Sequence, residues 1–228
     1  MRMRKKKNLD TRCERCSENL LVLRSPELNS DIACESPEYF DYTELFGNDN
    51  PVELEIGCGK GQFICELAKR HPNINYIAVE QCRNVIVAAA EKAQNEGLSN
   101  IKFFSVPAEY LPRYLHPHSI GRIYLNFSCP FPKSRFKNRR LTHQRFLNKY
   151  KLLMADGAEI HQKTDNMQLF EFSIESFSNN GFALKNISLD LHNSGFEGNI
   201  VTEYENKFAS KGFPIYRLEA FLPNKSDT

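Results

Sequence analysis

Two stretches of the chain concentrate residues whose types and spacing could do chemistry. The first is Glu55-Ile56-Gly57-Cys58-Gly59-Lys60-Gly61, followed one strand later by Glu80. Glycines here let the backbone turn sharply and approach a ligand closely, and a tight strand-to-helix turn would use them too. A dinucleotide loop reads G-x-G-x-x-G and rests its pyrophosphate on a helix N-terminus. In this chain the third glycine comes one residue early, and Glu55 would sit near the phosphates, where an anion is repelled. The same carboxylate suits the ammonium or sulfonium of S-adenosylmethionine. Glu80 can then hold the two ribose hydroxyls, as a carboxylate does in nucleotide folds. The pattern favours the methyl donor over a dinucleotide oxidoreductase.

The second stretch is Asn126-Phe127-Ser128-Cys129-Pro130-Phe131-Pro132-Lys133, continuing through Arg135, Lys137, Arg139 and Arg140. Five positive charges fall between Lys133 and Arg140, with Phe131 and Phe136 among them. Clustered Lys and Arg bind phosphates, and aromatic rings stack on bases. A solvated charge run is the plain alternative. Two prolines stiffen this stretch beside the carboxyl end of a strand, where ligands of open α/β sheets lie, and that favours RNA contact. Arg2–Lys7 forms a second basic patch.

Hydrophobic periodicity supplies the elements that must position these groups. Strands are predicted at Val52–Ile56, Ile74–Val79, Ile101–Val106, Arg122–Phe127 and Ala158–Gln162. Helices are predicted after the glycine loop and at Asn84–Asn95, Glu109–Tyr114, Thr142–Met154 and Met167–Ser178. That alternation implies an α/β fold with a mostly parallel sheet. Ala183–Leu191 and Ile215–Leu222 alternate apolar and polar residues and are expected to pair antiparallel at an edge, giving seven strands. Residues 1–50 read as a partly ordered, basic-starting arm, 51–223 as one domain and 224–228 as a tail.

Composition narrows the setting. The net charge of +2 rules out a whole-molecule basic field, so nucleic-acid affinity must come from local clusters. The seven cysteines are odd in number and scattered, with no apolar run after the basic start. A cytoplasmic protein with reduced thiols is expected, without a membrane span. Cys13 and Cys16 make half of a zinc pattern, with Cys34 as a third candidate, but nothing completes it, and no metal is expected. His143 and His161 lie near the expected cleft, with structural roles favoured over RNA contact. A monomer or homodimer is expected.

These pieces, in their order, resemble the bacterial tRNA (guanine-N7-)-methyltransferase family. The matching segments are Leu54–Gly61, Ala78-Val79-Glu80, Pro130 to Thr142, Thr164-Asp165-Asn166 with Leu169-Phe170, and Thr202-Glu203-Tyr204-Glu205 before Gly212 and Pro214–Arg217. The resemblance implies a Rossmann-like class I methyltransferase fold and methylation of N7 of guanine 46 in the tRNA variable loop. It implies donor binding by Glu55, Gly57, Gly59, Gly61, Glu80 and the positions of Pro107 and Cys129. Lys133, Arg135, Arg139, Arg140, Asp165 and Thr202–Glu205 would meet the RNA or shape its pocket.

Three positions depart from that family's pattern. Cys129 stands where an aspartate usually assigned a catalytic role is found, Phe131 replaces a tryptophan, and Pro107 replaces a group that helps hold adenine. Asp165 is then the remaining catalytic candidate. Guanine N7 carries an in-plane lone pair and no proton, so methylation needs alignment rather than a general base. A lost carboxylate is therefore expected to reduce turnover, not abolish it. The alternatives are a non-catalytic tRNA-binding relative and a methyltransferase acting on a small molecule or exocyclic amine.

Overall fold

The computed structural model describes residues 7–23 and 29–223. The basic residues Arg2, Arg4, Lys5 and Lys6 and the tail 224–228 lie outside the described residues. The chain forms two compact units, one up to His116 and one from Pro117.

The first unit contains α1 (Leu9–Arg15), β1 (Leu20–Val22), α2 (Ser30–Cys34), α3 (Tyr42–Phe46), β2 (Val52–Ile56), α4 (Gln62–Arg70), β3 (Asn75–Val79), α5 (Arg83–Asn95), β4 (Ile101–Ser105) and α6 (Leu111–Tyr114). Its strands run in the order β1-β4-β3-β2 and all pair in parallel. Every residue of β2 and β3 is buried, so β2 carries Glu53 and Glu55 inside the unit along with Val52, Leu54 and Ile56. Tyr76, Ile77, Phe103 and Phe104 are fully buried at the centre. Each such side chain contributes about 1.5–3 kcal/mol by leaving water. Helix α5 buries Ile86, Val87, Ala89, Ala90 and Ala93, the three-and-four spacing of a one-faced helix.

The segment read as an arm supplies an eighth strand among the described residues, one more than the seven expected. β1 is only three residues long, too short to show a period, yet Leu20 pairs with Phe103 and is buried. Arg12 of α1 ties this segment to α5, its Nε and Nη2 donating to the two oxygens of Glu91 at 2.6 and 2.5 Å. Cys13 and Cys16 are buried, and the Cys16 thiol meets Gln94 Oε1 at 3.5 Å.

The second unit contains β5 (Ile120–Asn126), α7 (Gln144–Leu153), β6 (Met154–Thr164), α8 (Met167–Asn179), β7 (Ala183–Ser188), α9 (Glu203–Ala209) and β8 (Tyr216–Phe221). Strand order is β5-β6-β8-β7. β5 and β6 are parallel, while β8 is antiparallel to both β6 and β7, as the alternating sequence of the last third implied. β6 begins four residues before the predicted strand, with an irregular register around Gly157. β7 is the exposed edge. No helix among the described residues is long and apolar enough to cross a membrane.

Candidate active site

In the first unit the glycine loop leaves the buried end of β2. The amides of Gly57 and Cys58 both donate to the carbonyl of Val79, at 2.7 and 3.0 Å, which ties the loop to the end of β3. Gly57, Gly59 and Gly61 all have positive φ, at 85°, 57° and 76°. Their surroundings differ. A Cβ on Gly57 or Gly59 would meet nothing within 4 Å, whereas one on Gly61 would stand 2.7 Å from the Cβ of Ala89. The first two glycines therefore border open space, and the third lets α5 pack against the loop.

Two carboxylates frame this loop. Glu55 is buried in β2. Glu80 follows β3, and its Oε1 accepts from the Cys82 amide at 2.8 Å. Burial raises the Glu80 carboxyl above the usual range, offset in part by backbone amides of Cys82, Gly59 and Gln81. Burial, with Glu55 and Glu80 nearby, pushes the Cys58 thiol well above its ordinary value, so it stays neutral. Pro107 caps the 3-10 turn Ala108–Tyr110 and offers no side-chain polar atom. An open glycine cradle with a carboxylate on either flank fits a cationic, ribose-bearing donor.

In the second unit the loop after β5 is bent at non-glycine residues, with Phe127 at φ 50° and Phe131 at φ 42°. Such backbone costs on the order of 1–3 kcal/mol and clusters at functional sites. Ser128 Oγ is buried with no hydrogen-bond partner among the described residues. Cys129 is exposed beside it. Lys133, Arg135 and Arg139 are exposed, and both arginines lie against the Phe136 ring, at 4.8 and 5.0 Å from its centroid.

Arg140 differs from its neighbours. Its Nε donates to the carbonyl of Pro130 at 3.0 Å and its Nη2 to that of Phe131 at 3.2 Å. The guanidinium also covers Phe172 at 4.5 Å. These contacts make Arg140 the brace of the loop rather than a free phosphate ligand, a role hidden in sequence because all five charges look alike.

Asp165 follows the last residue of β6. The cap of α8 is its neighbour, Asn166, whose Oδ1 accepts from the Leu169 amide at 2.8 Å. The Asp165 carboxylate makes no hydrogen bond or ion pair among the described residues. Tyr204 lies near it: burial, then Asp165 and Cys129, raise the Tyr204 hydroxyl above its ordinary value. The Tyr204 ring is 5.1 Å from Phe127 and 4.6 Å from Phe208.

The Thr202–Glu205 segment does not present every residue outward. Glu203 and Tyr204 are exposed, but Thr202 and Glu205 are buried. Thr202 Oγ1 caps α9 by accepting from the Glu205 amide at 3.0 Å. Glu205 faces inward onto Lys163 at 2.8 Å. Sequence reasoning missed Lys163, Asn199 and His192 as its partners, since they come from separate elements.

His143 and His161 make local contacts within their own elements. His143 caps α7, its Nδ1 accepting from the Arg145 amide at 3.3 Å. His161 Nε2 lies 2.7 Å from Glu159 Oε2. With Glu219 these two could bring ligand atoms within 4.8 Å of one another. Lys185 and Arg217 already pair the two carboxylates, so this is an ion-pair network.

Comparison with known proteins agrees with this arrangement. A family model described as "Putative methyltransferase" matches residues 49–218. The tRNA (guanine-N(7)-)-methyltransferase of Bacillus subtilis (strain 168) is 49% identical over 193 residues, covering 84% of this chain and 91% of that protein. The protein of the same name from Listeria monocytogenes serotype 4b (strain F2365) is 51% identical over 191 residues, covering 83% of this chain and 89% of its own length. Among solved structures, the 16S rRNA methyltransferase KamB has a TM-score of 0.60 at 19% identity, covering 82% of this chain and 95% of that one. The last likeness establishes the Rossmann-like class I methyltransferase fold, and the first three the lineage: the chain belongs to the tRNA (guanine-N(7)-)-methyltransferase family.

Proposed function

We propose that this chain methylates N7 of a guanine in tRNA, with S-adenosylmethionine as donor and position 46 of the variable loop as target. The observation that carries the reading is the uncommitted Asp165 carboxylate beside the exposed Tyr204 ring, on the unit that also bears the basic loop. When bound, S-adenosylmethionine supplies an electrophilic methyl group on a sulfonium. Glu55 favours that positive charge, the open backbone at Gly57 and Gly59 admits the donor, and Glu80 accepts from its ribose hydroxyls.

On the substrate side Tyr204 and Phe127 offer aromatic faces to a base turned out of the RNA. Asp165 accepts from the base's N–H edge and steadies the positive charge that guanine acquires. Lys133, Arg135 and Arg139 take phosphates. Arg140 keeps the loop in shape for them. No residue must remove a proton, because N7 has none. Cys129 offers no carboxylate at the tip of the loop, which lowers turnover without ending it. A tRNA substrate places the enzyme in the cytoplasm. The test is transfer of a labelled methyl group to an unmodified tRNA transcript, followed by chemical cleavage at N7-methylguanine. Label in the RNA without cleavage at a guanine would mean another target atom.

A further inference from the structure

Lys163 is the penultimate residue of β6 and is buried, as is Glu205 in the first turn of α9. An ammonium has three donors, and all three are used. Lys163 Nζ donates to Asn199 Oδ1 at 2.9 Å, to the carbonyl of Ile200 at 3.0 Å and to Glu205 Oε2 at 2.8 Å. The other carboxylate oxygen of Glu205 is taken as well, by Asn199 Nδ2 at 2.7 Å and His192 Nε2 at 3.0 Å. A buried charge is tolerated only when paired and hydrogen-bonded, so each of these two groups requires the other.

The pair ties the connection after β7 and the short helix α9 to a strand that β5 and β8 already hold on both sides. Lys163 comes from β6, the strand that Asp165 directly follows. His192, Asn199 and Ile200 lie on the connection after β7, and α9 is a seven-residue helix, too short to be stable alone. Tyr204 directly precedes Glu205, so pulling the carboxylate inward leaves the Tyr204 ring outward against Phe127. Lys163 Nζ also lies 5.9 Å from the centre of the Phe127 ring. One buried contact thus fixes Asp165, Phe127 and Tyr204 with respect to one another.

We propose that Lys163 and Glu205 form a positioning latch for the guanine site, acting on methyl transfer through the placement of Tyr204, Phe127 and Asp165 and not by touching the RNA. This rests on the reading of the substrate given above. The latch has no need of either charge as such, only of a filled and mutually satisfied contact. Replacing both members by apolar side chains of similar length should restore what replacing one destroys.

The experiment compares Lys163→Met, Glu205→Met and the double variant in the full chain. Donor affinity is measured by calorimetry, thermal stability by melting, and kcat and KM on a tRNA transcript. Each single variant is expected to lower kcat about tenfold or more through misplacement of the base, with donor affinity unchanged. The double variant is expected to regain most of that loss together with its melting temperature. A Lys163→Met protein with wild-type kcat would overturn the latch. So would a double variant that regains stability yet is no more active than Glu205→Met, which would show Glu205 acting on the RNA directly. Where Lys163→Met does not fold, the comparison of the double variant with Glu205→Met decides the matter alone. Absence of N7-methylguanine from the wild-type reaction would refute the substrate reading instead, and the two failures are separate.

Discussion

The ring of Phe127 lies 5.1 Å from that of Tyr204, inclined at 47°, with one residue leaving β5 and the other in the first turn of α9. Phe127 adopts φ 50° to reach this place, a conformation that non-glycine residues avoid. Tyr204 itself is 47% exposed although Phe127 and Phe208 both lie against its ring, so part of it remains accessible to a base.

Stacking a base on an aromatic ring is worth about 1–3 kcal/mol. Tyr204→Ala should therefore raise KM for tRNA roughly 10- to 100-fold, while Tyr204→Phe stays near wild type. Steady-state rates with a transcript series check this. Equal rates for both variants would remove the ring from base recognition.

The five cations of the basic loop should fall into two groups. Lys133→Ala and Arg135→Ala should each flatten the salt dependence of tRNA binding by about one unit of slope and leave stability unchanged. Arg140→Ala should instead destabilise the second unit by about 1–3 kcal/mol, since it removes two hydrogen bonds from a charged donor. Filter binding across salt concentrations, alongside denaturant melts, separates the two behaviours.

Much of this architecture could be read from the residues. Strands β2 to β6 showed as short apolar-rich segments alternating with helices, and the alternation of Ala183–Leu191 gave away an antiparallel edge. β1 stayed hidden because three residues show no period. α9 carries Thr202 and Glu205 at the spacing of a capping box, but the family resemblance assigned that segment to the RNA or its pocket. Glu55 was recognisable because it borders the glycine loop along the chain, and Glu80 because it ends the next strand. The Lys163–Glu205 pair was not, because 42 residues separate its members and only folding brings them together.

Glu80 carries a pH signature. Burial holds its carboxyl above the ordinary range, so the proton is retained to a higher pH than on an exposed glutamate. A raised carboxyl favours the protonated fold: the stability it contributes is present below the unfolded value and lost as pH rises through the folded one. Ribose hydroxyls need the ionised form as acceptor, so donor affinity should fall on acidification earlier than an ordinary glutamate would require. Glu80→Gln should weaken donor binding about tenfold or more, erase this pH dependence and leave the unliganded protein no less stable at neutral pH. Calorimetric titration over a pH series measures the first two, and thermal melting of the unliganded protein the third.

Cys129 offers a gain-of-function test. Restoring a carboxylate with Cys129→Asp should raise kcat on the order of 10- to 100-fold if one charge-stabilising contact is what the thiol lacks. Tyr204 and Asp165 lie nearby, so the new carboxylate would join an existing acidic site. An unchanged kcat would mean that Asp165 alone suffices.

The most direct measurement incubates the wild-type chain with methyl-labelled S-adenosylmethionine and unmodified tRNA, then maps chemical cleavage at N7-methylguanine. The account predicts label in the RNA and a single cleavage at the variable-loop guanine, lost when that guanine is replaced by adenine. Donor binding without transfer, or transfer that survives the replacement, would contradict it.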